Sequence, residues 1–125
     1  MDSNIVIKVQ KKLPVDKQSI SSDIKKRLKF RGVKSKSVEV WVVGKSKMRT
    51  LNRTFMRKDR PTDVLSFPLP IIPGEDRAGK ELIGTIVVCS DIIESYSKEN
   101  GTSFGVEITK LIFHGIDHLL GIHHK

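Results

Sequence analysis

The chain has 125 residues, 38% of them hydrophobic, with a mean hydropathy of −0.23 and a formal net charge of +9. That is enough length and apolar content for one domain, residues 1–125, with its own core, and too much for a chain disordered by composition. No apolar run approaches the roughly 18 residues of a membrane span, and MDSNIVIKVQKK does not read as a secretory signal. The single cysteine, Cys89, excludes an internal disulfide and fits a reducing cytoplasm. The charge is one-sided. Residues 1–60 hold 18 Lys and Arg against 5 Asp and Glu, whereas residues 61–125 hold 5 against 9. A basic half of this kind suits a polyanion, nucleic acid first.

In chain order, residues 4–9 (NIVIKV) alternate like a half-buried strand. Asp16 is placed to cap a helix on which Ile20, Ile24 and Leu28 recur every four residues, and Gly32 ends it. Residues 38–43 (VEVWVV) predict a strand broken by Gly44. Ser46 then caps a second helix with Met48, Leu51, Asn52 and Phe55 on one face and Arg49, Arg53, Arg57 and Lys58 outward. VLSF, residues 64–67, is a short buried strand. Three prolines between 68 and 73 open a loop, and residues 81–89 return as a strand. Asp91 and Glu94 form a capping pair for a short helix ending at Asn100-Gly101. The last helix spans about 103–120, with Val106, Ile112, Ile116 and Leu119 toward the core and Gly121 as its stop. The expected fold is α+β: a small mixed sheet of about four strands packed against helices, the last of which bears histidines.

All four histidines lie in the final segment HGIDHLLGIHHK, residues 114–125. His114 and His118 are four residues apart, which puts both imidazoles on one helix face within reach of one ion. A third ligand requires the chain to turn, and Gly121 can adopt the left-handed conformation that turns it. His124 then completes three nitrogen ligands, with His123 as the neighbouring alternative. Three protein nitrogens with an open fourth position are the catalytic zinc arrangement. The spacing H-x-x-x-H-x-x-G-x-x-H also occurs in metzincin proteases, but their glutamate base follows the first histidine, and here that position is Gly115. Asp117, the only carboxylate in the segment, lies off the His114 direction on a helix.

HGIDHLLGIHH (114–124), KDRPTDVLSFP (58–68) with LNR before it (51–53), and IGTIVVC (83–89) occur together in this order. In these motifs the chain resembles the YbeY-type rRNA maturation factors, small metal-dependent endoribonucleases. The resemblance covers nearly everything from residue 50 onward. It implies one zinc ion held by His114, His118 and His124, and hydrolysis of single-stranded RNA in ribosomal RNA maturation, with ribosomal RNA and the ribosome as partners and no membrane. Phosphates would meet Arg49, Arg53, Lys58 and Arg60 in the basic half. The family arginine position falls on Met56, so Arg57, one place on, is the catalytic candidate. Asp117 and Thr85 stand where the family usually has Leu and Asp. Thr62, Asp63 and Ser66 are open to either a functional or a turn-forming role. Two classes of function follow: a zinc-dependent endoribonuclease, or a catalytically impaired RNA- or ribosome-binding protein that retains the metal-site fold.

Overall fold

The four-residue recurrence of Ile20, Ile24 and Leu28 forms helix α1 (Lys17–Phe30), with Asp16 Oδ1 accepting from the Gln18 N–H at its start. The computed structural model describes residues 4–9, 16–68 and 81–122. In it α1 joins β1 (Asn4–Val9) to β2 (Lys36–Val43), followed by α2 (Lys45–Met56), β3 (Val64–Phe67), β4 (Glu81–Cys89), α3 (Ser90–Asn100) and α4 (Phe104–Leu119). The sheet order is β1-β2-β4-β3. β1, β2 and β4 are parallel and β3 pairs antiparallel with β4, so the sheet is mixed and four-stranded as the sequence implies. One residue of β4, Ile83, bulges from the ladder, since Ser37 and Val38 pair with Leu82 and Gly84.

Strand periodicity sorts side chains to the two sheet faces. Val38, Val40, Val42, Ile86 and Val88 meet the apolar stripes of α1 and α4, while Val43, Val87 and Cys89 meet Met48 and Leu51 of α2. α1 and α4 therefore lie on one face and α2 on the other. Gly84 allows a close approach at the β3 edge: a Cβ there would stand 2.4 Å from the Phe67 carbonyl oxygen and 2.8 Å from Leu119.

Helix ends follow local chemistry in some places and tertiary contacts in others. α1 and α4 end in matching Schellman turns. Val33 N–H donates to Leu28 O and Ile122 N–H to Asp117 O, with Gly32 and Gly121 left-handed at φ +75° and +78°. Ser46 does not cap α2. The helix begins after Gly44, and its first N–H, on Lys45, donates to Asp91 of α3 at 2.8 Å. Asp91 thus serves the neighbouring helix rather than its own, whose N-cap residue is Cys89. Val106 is 46% exposed, and Ile108 takes the core position expected of it. The reason is that the buried Glu107 accepts from Thr102 and Asn100 and sets the rotation of the first turn. Phe55, expected on the buried face of α2, is exposed, with its ring 5.1 Å from that of Phe67.

Candidate metal and nucleic-acid site

α4 carries His114 and His118 one turn apart, both exposed, flanking the buried Gly115–Asp117 segment. Gly115 is what lets this helix lie on the sheet: a Cβ at 115 would stand 3.0 Å from Ile86 and 3.1 Å from Ser66 Oγ. A glutamate following the first histidine, as in the metzincins, would press on Ile86 and Ser66 here, so glycine suits the position. His124 and its neighbour His123 lie outside the described residues, as does the proline loop between 69 and 80. Among the described residues no cluster of three metal-binding side chains forms. The two described imidazoles nevertheless fit zinc chemically, as nitrogen ligands at chelating spacing just before a left-handed glycine.

Asp117 lies about 60° around the helix from His114, on the flank that meets α1. It is 1% exposed and accepts from Nε and Nη2 of both Arg27 and Arg31, the Arg31 contacts measuring 3.1 and 2.9 Å. Hydrogen bonding to Asp117 raises the Arg31 guanidinium above its ordinary pKa. The sequence signal was a carboxylate on an otherwise apolar helix flank and two arginines four apart on α1, but nothing local pairs them.

The basic residues around α2 divide into two groups. Arg49 forks onto Asp59 at 2.9 and 3.1 Å, and Arg53 approaches the same carboxylate at 3.6 Å. The hydrogen bond from Arg49 holds Asp59 below its usual carboxylate range. Arg57, Lys58 and Arg60 stand exposed past the helix end. Asn52 of the LNR motif shapes that segment: it is buried, its carbonyl accepts from Arg57 and Lys58 N–H, and its amide donates to Arg60 O at 2.7 Å. Arg57 itself is the left-handed cap of α2, at φ 58°. α2 and α4 lie on opposite faces of the sheet, and Arg57 lies one residue past the end of α2.

Within TDVLSF, Asp63 and Ser66 make contacts between elements. Asp63 accepts from its neighbour Val64 N–H and from the Tyr96 hydroxyl at 3.0 Å, and its carbonyl accepts from Cys89 N–H. Desolvation, then the bond to Asp63, raises the Tyr96 pKa. Ser66 faces Gly115, and Thr85 is fully buried opposite Glu39 on the α2 face of the sheet.

A family model described as Endoribonuclease YbeY matches residues 5–125. The Endoribonuclease YbeY of Aquifex aeolicus (strain VF5) is 37% identical over 122 residues, covering 98% of this chain and 79% of that protein. The one from Koribacter versatilis (strain Ellin345) is 41% identical over 121 residues, covering 96% and 74%. Among solved structures, that of TM1509 from Thermotoga maritima superposes with a TM-score of 0.60 at 25% identity, covering 96% of this chain and 75% of that one.

Proposed function

The chain belongs to the endoribonuclease YbeY family, and on that premise we propose that it is a zinc-dependent single-strand endoribonuclease acting in ribosomal RNA maturation. The observation that carries the zinc reading is the His114–His118 pair on one exposed turn of α4; sequence spacing alone nominates His124 as the third ligand. When bound, zinc supplies a Lewis acid that lowers the pKa of a water toward 7 and polarises a phosphoryl oxygen. The chain's own residues do the rest. His114 and His118 hold the ion, Gly115 keeps the α4 turn against β3, and Arg57, Lys58 and Arg60 meet phosphates on the segment shaped by Asn52. No helix among the described residues is long and apolar enough to cross a membrane. The buried, unpaired Cys89, whose pKa burial raises, supports a reducing compartment.

The test is elemental analysis and RNA cleavage on the wild type and His118→Ala. Near-stoichiometric zinc and cleavage, both lost in the variant, are expected. Zinc-free wild type would sink the reading. One observation favours the second reading, an RNA- or ribosome-binding protein without cleavage: Met56 holds the family arginine position, and Arg57 sits in a left-handed cap instead of on the helix face. RNA binding without cleavage in zinc-loaded wild type would establish it.

A further inference from the structure

The cationic surface that shares a sheet face with the histidine helix is on α1. We propose that single-stranded RNA is held there, beside the histidine face, with a base stacked on Phe30 and phosphates on Lys26, Arg27 and Arg31, whose guanidiniums Asp117 sets in place. This rests on the nuclease reading and adds to the Arg57–Arg60 segment a second cationic surface, on the sheet face of the histidine helix.

Three observations carry it. The first is position. Phe113 and Asp117 are four apart on the flank of α4 that meets α1, and Asp117 is only about 60° around the helix from His114. A strand leaving the histidine face in that direction crosses directly onto the C-terminal turns of α1. α2 lies on the opposite sheet face, and its Arg49 and Arg53 both contact Asp59.

The second is charge. Residues 17–36 carry eight Lys and Arg against one acid, Asp23. Asp23 is the one acid in a hollow also lined by Lys26, Arg27, Phe30 and Phe113.

The third is construction. Phe30 is 71% exposed, the most exposed large apolar side chain described, yet it is not loose. Arg27 lies 5.5 Å from its ring centre and 5.2 Å from that of Phe113, and Arg31 lies 5.2 Å from Phe30. Both arginines spend Nε and Nη2 on the buried Asp117, which leaves each Nη1 for a ligand. Aromatic rings interleaved with fixed guanidiniums match a nucleotide's π-face and phosphate.

The experiment is fluorescence anisotropy with a labelled single-stranded RNA of roughly 16 nucleotides, on wild type, Phe30→Ala and Phe30→Tyr. Alanine should weaken binding about tenfold and tyrosine should restore it. Lys26→Gln should reduce the slope of log affinity against log salt by about 0.7. Equal melting temperatures confirm that the exposed ring is not a folding determinant. Wild-type affinity in Phe30→Ala, or the same loss in both ring variants, overturns the proposal while the nuclease reading stands. A wild type that binds no RNA overturns both.

Discussion

Single atoms decide several features of this protein. At Gly84 a methyl group would sit against the Phe67 carbonyl, a backbone atom that cannot rotate away. Gly84→Ala should therefore destabilise the fold by about 1–3 kcal/mol, read as a lower urea midpoint at unchanged slope. Glu107 offers a pH test. The hydrogen bond from Thr102 lowers its pKa first of all, with Lys110 adding to the effect and burial opposing it. A carboxylate depressed in the folded state stabilises above its unfolded pKa of about 4.3, and that stabilisation is lost as pH falls through the folded value. Urea unfolding measured from neutral pH down to about 3 should show an acid limb that is shallower in Glu107→Gln. An unchanged limb would mean that the Thr102 bond is absent in solution.

Between elements, the Arg27–Asp117–Arg31 triad ties the last turn of α4 to α1. Removing the carboxylate charge leaves two guanidiniums facing each other, although both are partly solvated. Asp117→Asn should cost about 2 kcal/mol by chemical denaturation. Arg27→Met/Arg31→Met/Asp117→Leu together should be near neutral, because an apolar replacement removes the desolvation cost along with the attraction. A triple variant as unstable as the single would show that the triad's attraction exceeds its desolvation cost. The same triple variant should bind RNA poorly despite its stability, since the guanidiniums beside Phe30 are gone. Asp91 links α2 and α3 in the same manner: Asp91→Ala exposes the Lys45 N–H and should cost about 1 kcal/mol, again read from the urea midpoint.

For the whole molecule, the sheet divides the basic charge. α1 and its following turn lie with α4 on one face, and the Arg49–Arg60 region lies on the other. Binding through about four phosphates should give a log–log salt slope near −3 for single-stranded RNA. Salt titration of wild-type affinity checks this. A slope near zero would show that the +9 charge serves solubility alone.

Local pattern alone was sufficient for much of this. The strands and helices fall where period-two and period-four apolar recurrences put them, because those periods express backbone geometry that neighbours 2–4 residues apart already impose. The glycine stops at 32, 101 and 121 were legible because glycine takes positive φ without a Cβ clash, whereas the left-handed Ser35 and Arg57 carried no such signal. The histidine pair on α4 was legible for the same reason, since its spacing is one turn of helix. Partnership across the chain was not. Arg27 and Asp117 are 90 positions apart, Lys45 and Asp91 are 46 apart, and no local preference favours either pair. Only the folded sheet decided that Asp91 caps α2 and that Phe30 stands beside the histidine helix. Each of these depends on which surfaces the core brings together, and burying that core is a property of the whole molecule.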